Sequence, residues 1–257
     1  MKGSRVLSLA LGALLLCCGP ADDAGEPPSG STGRPAFPAD RARGSAGDGG
    51  GEAPSARPGP TEGRVRAVFL GTSLTAGLGL LRDSERFTDR IQAMADSAAI
   101  PVEVVNAGVS GETSAGGLRR LDRLLEPPLD VLVVELGAND ALRGLPVDAM
   151  RDNLREVVRV TRARRPDARI VLVGMEAPPN MGERYTSAFR EAFRDVAREE
   201  GVQLVPFLLE GVGGVADLNQ EDRIHPNAEG HRVIARLLWP TLEPVLREAA
   251  RTKARGR

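Results

Sequence analysis

The chain has 257 residues, enough for one sizeable α/β domain or two small ones. Its 34 basic and 35 acidic residues leave a formal net charge of −1, so composition creates no general attraction to nucleic acid or anionic lipid. Hydrophobic residues make up 41% of the chain and aromatic residues 3%, which suits a globular core built from aliphatic side chains. We therefore expect no nucleic-acid partner.

The first 18 residues have the pattern of an export signal. A basic start precedes an apolar stretch from Val6 to Leu16, which is too short to span a bilayer as a stable helix. The stretch ends at Cys17 and Cys18, the only cysteines, and this end resembles the lipobox of bacterial lipoproteins. We expect export to the cell envelope or periplasm, with a membrane anchor through lipidated Cys18. The alternatives are lipidation at Cys17, or an ordinary cleaved signal peptide with incidental cysteines.

Residues 19–63 contain eleven glycines and eight prolines, and Phe37 is their only large apolar side chain. Such a segment cannot bury enough surface to offset chain entropy, so we predict a disordered tether. A flexible chain of this length would reach roughly 35–40 Å from its anchor. A folded domain is then predicted over residues 64–250, followed by a basic tail at 251–257.

Short, β-branched, apolar segments alternate with amphipathic helical segments from Arg64 onward, which is typical of a parallel sheet. The predicted strands are Val65–Leu70, Val102–Ala107, Asp130–Leu136, Arg169–Gly174 and Val202–Phe207. Five strands alternating with helices predict a three-layer αβα domain with a flavodoxin-like, doubly wound sheet. Right-handed crossovers and the usual winding favour the strand order 2-1-3-4-5. A last helix is predicted to start after Pro226, with Asn227 as its cap.

Polar residues follow several predicted strands at their carboxyl ends, where open α/β sheets place their chemistry. Ser73 follows strand 1, Gly111 follows strand 2, Asn139 follows strand 3, and His225 lies in the long loop after strand 5. Taken alone, Ser73 would most simply cap the next helix. Its convergence with the other three residues at one sheet edge instead favours a catalytic role.

Four sequence blocks carry a family resemblance: SLTAG from Ser73, GVSGET around Gly111, GAND around Asn139 and DRIHP around His225. Together they resemble the SGNH hydrolases, the GDSL-like esterases and lipases, and most closely the arylesterase, thioesterase I and lysophospholipase L1 branch. The resemblance implies Ser73 as nucleophile, Asp222 and His225 as its catalytic partners, and Ser73, Gly111 and Asn139 as the oxyanion hole. One departure is Thr72, where the family's name-giving motif has aspartate.

The chemistry of these residue types agrees with that assignment. A serine hydroxyl needs a base to take its proton, and His225 is the histidine placed to do so. Asp222, three residues earlier, can hold the imidazole, with Asp217 and Glu221 as rivals. Two backbone N–H groups and the Asn139 amide would stabilise the oxyanion, with glycine at 111 allowing close backbone approach.

Several alternatives stay open for these residues. Gly111 could be only a turn glycine, and Asn139 with Asp140 only a turn and helix cap. We interpret Asp140 and the second histidine, His231, as structural. No cluster has metal-ligand spacing, so neither a metal nor a cofactor is expected.

The predicted substrate pocket includes Leu78, Met175 and Pro178, on apolar loops that could equally be ordinary surface loops. The predicted function is hydrolysis of carboxylic esters or thioesters of small acyl or aryl groups, or of lysophospholipids, through an acyl-enzyme. The alternative is a degenerate envelope lipoprotein that uses the same fold for binding.

Overall fold

The computed structural model describes residues 63–256. The predicted signal segment, Cys18 and all but the last residue of the predicted tether lie outside this range. The described part holds a five-stranded parallel sheet in the order β2-β1-β3-β4-β5, which confirms the predicted order. The strands are β1 (Val65–Gly71), β2 (Val102–Gly108), β3 (Val131–Glu135), β4 (Arg169–Val173) and β5 (Gln203–Val205).

Helices follow the strands and cover the sheet. They are α1 (Ser73–Ala76), α2 (Phe87–Ser97), α3 (Ser114–Leu125), α4 (Ala138–Leu142), α5 (Val147–Arg164), α6 (Glu183–Glu199) and α7 (Ala228–Arg255). The predicted cap of the last helix is confirmed, because the Asn227 side chain accepts hydrogen bonds from the N–H groups of Glu229 and Gly230, both at 3.0 Å. None of the helices among residues 63–256 is long and apolar enough to cross a membrane.

The core lies on both faces of the central strands. Every residue of β3 is buried, as expected for a strand covered by helices on both sides. Phe69, Phe87, Phe189 and Phe193 are among the largest fully buried side chains, and the rest of the core is almost entirely aliphatic.

Strands β4 and β5 end earlier than predicted, next to Pro206. The predicted strand Val202–Phe207 is reduced to Gln203–Val205, because Pro206 has no N–H to donate to a neighbouring strand. The predicted strand Arg169–Gly174 ends at Val173, and a Cβ on Gly174 would lie 2.1 Å from the Pro206 carbonyl oxygen. Close backbone packing at this point therefore replaces regular pairing.

The predicted boundary at residue 250 does not coincide with a structural break. Helix α7 continues through the predicted basic tail to Arg255. Lys253 Nζ lies 2.7 Å from Asp130 Oδ2, just before β3, and Thr252 Oγ1 accepts from Arg169 at 3.3 Å. These contacts fix the last helical turns against the amino edge of the sheet.

Candidate active site

The turn between β1 and α1 places Ser73 at the carboxyl edge of the sheet. Thr72 is the N-cap of α1, and its hydroxyl accepts a hydrogen bond from Leu74 N at 3.4 Å. Ser73 is the first residue of the helix, so its hydroxyl is available for other contacts. The capping role considered for Ser73 in the sequence belongs to Thr72.

Ser73 is linked to the loop after β5 through His225. Ser73 Oγ lies 2.9 Å from His225 Nε2, and His225 Nδ1 lies 2.6 Å from Asp222 Oδ2. An imidazole held by a carboxylate on one nitrogen can accept a proton from a hydroxyl on the other. The rival carboxylates of Asp217 and Glu221 make no hydrogen bond to His225 within the described residues.

The aspartate and histidine belong to one tight turn. Asp222 Oδ1 accepts hydrogen bonds from the N–H groups of Ile224 at 2.9 Å and His225 at 3.0 Å. Arg223 takes a left-handed conformation, φ +57°, to allow this turn. Three hydrogen bonds lower the pKa of Asp222 from 3.8 to about 2. The bond from the His225 N–H has the largest effect, followed by the bonds from the His225 ring and from the Ile224 N–H. Asp222 therefore carries its negative charge at neutral pH.

Gln220 ties the histidine loop to neighbouring backbone. Its N–H donates to the His225 carbonyl at 2.8 Å. Its side-chain Nε2 donates to the carbonyls of Leu78 at 2.7 Å and Pro226 at 3.0 Å. The segment after Ser73 and the loop of His225 are thus joined through one amide.

Gly111 occupies the turn after β2. Glu112 N donates to Val109 O at 3.2 Å across this turn, and Gly111 has φ +77°, which glycine adopts without strain. A Cβ at position 111 would meet nothing closer than Arg143 Nη2 at 3.7 Å, an ordinary contact. The positive φ gives a reason for glycine here that is independent of substrate, and the predicted close approach of this backbone to the oxyanion stays a prediction.

Asn139 lies in α4, directly after β3, with its amide oriented by a backbone contact. Its Nδ2 donates one hydrogen bond to Glu112 O at 3.0 Å, which leaves the second amide hydrogen for another acceptor. The adjacent Asp140 is buried and accepts from Ser114 N at 2.8 Å and Ser114 Oγ at 2.6 Å. Asp140 thus fixes the start of α3, in agreement with the structural interpretation.

These residues surround one cleft of about 680 Å³. Ser73, Gly111, Asn139 and His225 line it, and Asp222 lies behind His225. The predicted pocket residues Leu78, Met175 and Pro178 also line it. Sequence reasoning missed further apolar side chains that line it, among them Leu142, Phe207, Leu209 and Ile224.

Besides Asp140, two more buried ionisable groups of the described residues lie outside the predicted site. His231 is buried, accepts a hydrogen bond from Phe87 N at 3.1 Å and stacks on the Phe87 ring, as a structural histidine should. Glu135, the last residue of β3, was not predicted as a site residue. The feature that could have identified Glu135 in the sequence is its position as a charged residue within the apolar run of a predicted strand.

Within residues 63–256, no group of three or more histidine, cysteine, aspartate or glutamate side chains could hold a metal ion. The fold and the site together define a class of protein: α/β enzymes with a serine, a histidine and an aspartate linked at the carboxyl edge of a parallel sheet.

Comparison with known proteins narrows that class. Residues 69–233 match the GDSL-like Lipase/Acylhydrolase family, and the chain belongs to this family. Esterase TesA of Pseudomonas aeruginosa is 42% identical over 180 residues, which cover 70% of this chain and 88% of that protein. Thioesterase 1/protease 1/lysophospholipase L1 of Escherichia coli K12 is 35% identical over 184 residues, covering 70% of this chain and 84% of that protein.

A solved structure gives the same result for the fold. The crystal structure of a protein named TesA superposes with a TM-score of 0.67 at 40% identity, covering 70% of this chain and 99% of that one. The described chain is thus a carboxylic ester hydrolase with the SGNH fold.

Proposed function

We propose that the protein cleaves esters through an acyl-enzyme formed on Ser73. The observation that carries this proposal is the continuous link from Ser73 Oγ to His225 Nε2 at 2.9 Å and from His225 Nδ1 to Asp222 Oδ2 at 2.6 Å. His225 takes the Ser73 proton as Oγ attacks the ester carbonyl, and Asp222 stabilises the imidazolium that forms. His225 then gives the proton to the departing alcohol or thiol, which leaves the acyl group on Ser73.

The second half of the cycle uses the same groups. Water enters the space left by the alcohol, His225 takes one of its protons, and the hydroxide attacks the acyl carbonyl. Collapse of the second tetrahedral intermediate breaks the bond to Ser73 Oγ, which recovers its proton from His225. The carboxylic acid leaves, and the enzyme returns to its starting state.

Three donors support the oxyanion in both steps. The N–H groups of Ser73 and Gly111 and the Nδ2 of Asn139 border the same cleft. Among residues 63–256, neither backbone N–H donates to another protein group, so both can serve a developing oxyanion. Losing one such donor costs roughly 3–4 kcal/mol of transition-state stabilisation.

The substrate class follows from the walls of the cleft. Leu78, Met175 and Pro178 line it together with Leu142 and Ile224, so the acyl or aryl part of a substrate would contact mainly hydrocarbon. We expect small acyl or aryl esters, thioesters and lysophospholipids as substrates, in keeping with the names of the relatives. The binding-module alternative finds no support in these names, which are those of enzymes.

One experiment tests the nucleophile. The purified full-length protein and its Ser73→Ala form are assayed with p-nitrophenyl acetate, butyrate and octanoate, and both are treated with a fluorophosphonate probe. We expect Ser73→Ala to lose at least about a thousandfold in kcat and all labelling. Ser110→Ala is the matched variant, because Ser110 lines the same cleft. Labelling that persists in Ser73→Ala and disappears in Ser110→Ala would overturn the assignment.

We also propose that the protein is exported and held at a membrane by lipid on Cys18. The basic start, the apolar stretch to Leu16 and the paired cysteines support this proposal. The test is metabolic labelling with an alkyne fatty acid in a bacterial host. We expect Cys18→Ala to lose the label and Cys17→Ala to keep it; equal labelling of Cys18→Ala and the unchanged protein would contradict the proposal.

A further inference from the structure

Glu135 lies directly beneath the turn that carries Ser73, although it touches neither Ser73 nor the cleft. It ends β3, and only 1% of its surface is exposed. Its carboxylate accepts hydrogen bonds from Thr72 N at 2.8 Å and from Thr75 Oγ1 at 2.7 Å. The Thr72 hydroxyl also donates to it, lying 3.0 and 3.1 Å from its two oxygens.

These bonds hold the backbone on both sides of Ser73. Thr72 precedes the serine and Thr75 follows it by two residues, so one carboxylate fixes both ends of the nucleophile turn. The packing around the turn is tight, because a Cβ on Gly71 would lie 2.0 Å from Thr75 Oγ1 and 2.7 Å from Glu135 Oε2. The positions of Ser73 Oγ and Ser73 N depend on this turn.

The donor set favours the ionised form of Glu135. One backbone N–H and two hydroxyls point at it, and a protonated carboxyl would place a fourth hydrogen among them. Burial raises the pKa of Glu135 from 4.5 to about 6, while the hydrogen bonds from Thr72 and Thr75 act in the opposite direction. The Arg120 guanidinium, from α3, pairs with Glu112 and reaches the Gly71 carbonyl beside this carboxylate.

Thr72 matters because the motif of the family has aspartate there. An aspartate at 72 would face Glu135 at hydrogen-bond distance, and two carboxyl groups in one dry site cannot both ionise readily. The threonine hydroxyl supplies a neutral donor instead. The site then needs no shared proton.

We propose that Glu135 is a positioning residue for Ser73, and that Thr72 replaces the motif's aspartate as a neutral donor to its carboxylate. The proposal rests on Ser73 being the nucleophile. It predicts that the reactivity of Ser73 depends on the hydroxyl at position 72 and on the negative charge at position 135.

The test measures kcat and KM on p-nitrophenyl butyrate from pH 5 to 10, with the rate of fluorophosphonate labelling, for the purified full-length protein and four variants. Thr72→Val and Glu135→Gln should each lose about tenfold to a hundredfold in kcat with KM nearly unchanged, because the serine is displaced rather than the cleft. Thr72→Ser keeps the hydroxyl and should recover most of the rate. Thr72→Asp should gain a new decline in kcat at alkaline pH, as the carboxyl pair loses its shared proton.

The outcomes separate this proposal from the proposed function. An unchanged protein that neither turns over ester nor takes the label would refute the function itself. An active protein whose Thr72→Val and Glu135→Gln forms keep kcat within twofold would overturn the positioning role. So would equal losses in Thr72→Ser and Thr72→Val, or a Thr72→Asp profile without the alkaline decline. If Glu135→Gln fails to fold, the three variants at position 72 still decide the question.

Discussion

The side-chain amide of Gln220 donates a hydrogen bond to the carbonyl of Leu78 at 2.7 Å, joining two loops that are 142 residues apart. Leu78 lies five residues after Ser73, and Gln220 lies five residues before His225. Gly79 makes room for the contact, because a Cβ there would lie 2.0 Å from Gln220 Oε1. The distance between nucleophile and base is therefore set partly by a residue that contacts neither the Ser73 hydroxyl nor the His225 ring.

Replacing Gln220 should separate the two loops without altering any reacting group. We expect Gln220→Ala to lower kcat by about tenfold, since small displacements of catalytic groups are costly, and to lower thermal stability slightly. Steady-state kinetics with p-nitrophenyl butyrate and a thermal unfolding scan measure both effects. Gln203→Ala, an exposed glutamine in β5, is the control. Equal kinetics in both variants would remove Gln220 from the positioning of His225.

Asp222→Asn should keep the fold and lose most of the rate. The amide oxygen can still accept from the backbone N–H groups of the turn, but an amide NH2 facing His225 cannot accept from its ring or stabilise the imidazolium, so we expect a loss of roughly 10³–10⁴ in kcat. Asp217→Asn is the matched control, because Asp217 is a rival carboxylate in the same loop. A larger loss in Asp217→Asn than in Asp222→Asn would reassign the carboxylate.

Asn139→Ala should remove one oxyanion donor and the contact to Glu112 O. We expect kcat to fall by about 10²–10³ with little change in KM, because the lost bond forms mainly in the transition state. Asn153→Ala is a suitable control, since this helical asparagine instead donates to Ser114 Oγ at 3.0 Å. A change confined to KM would mean that Asn139 binds the substrate and not the oxyanion.

Gly111→Ala tests whether conformation at this turn matters for catalysis. The added methyl meets no close atom, so its cost comes from φ +77°, which should lower stability by about 1–2 kcal/mol. Gly201→Ala is the matched control. Gly201 lies just beyond α6 with φ +58° and open space around it, so its replacement adds a similar backbone strain. We expect similar losses in the free energy of unfolding in urea for both variants, but a loss of kcat only in Gly111→Ala. Equal kcat values would mean that the strain added at this turn does not reach the oxyanion hole.

His231 should make the protein sensitive to mild acid. Burial lowers its pKa from 6.5 to about 4, and the positive charges of Arg90 and Arg86 act in the same direction. Between pH 6.5 and pH 4, His231 therefore binds a proton more readily in the unfolded chain than in the folded protein. The contribution of His231 to the free energy of unfolding is fully present above pH 6.5. As the pH falls towards 4, the free energy of unfolding decreases by about 3 kcal/mol for this reason.

The measurement is the free energy of unfolding in urea at pH 7, 6, 5 and 4. His231→Gln keeps an acceptor for Phe87 N but has no proton to gain, so its stability should vary less with pH. Carboxyl groups, Glu135 among them, titrate in both proteins, so their effect cancels in the difference between the two free energies of unfolding. Parallel pH curves for the two proteins would contradict the assignment.

The strand order could be predicted because it is the usual winding of five-stranded sheets of this kind, and the polar residues of the cleft because they follow the predicted strands. Apolar runs marked the strands, and polar residues at their ends marked a common edge. Glu135 and Gln220 could not be predicted in this way, because their partners, Thr72 and Leu78, lie 63 and 142 residues away in the sequence. Only the folded register shows that Glu135 faces Gly71 on the neighbouring strand.

Local conformation was also hard to predict. The sequence suggested close backbone approach as a reason for glycine at 111, and the structure adds a positive φ in a turn, which the sequence did not show. The capping residue of α1 was one position away from the residue first considered, since both Thr72 and Ser73 are chemically able to cap a helix. Side-chain chemistry alone does not show which of two such neighbours caps the helix; the backbone conformation does.

The start of β1 and the end of α7 both lie at the amino edge of the sheet, as the contact of Lys253 with Asp130 shows. The cleft opens at the opposite, carboxyl edge. A fusion partner, affinity handle or solid support joined to either end of residues 63–256 would therefore sit behind the catalytic face. Immobilised through either end, the enzyme would present its cleft to the solution.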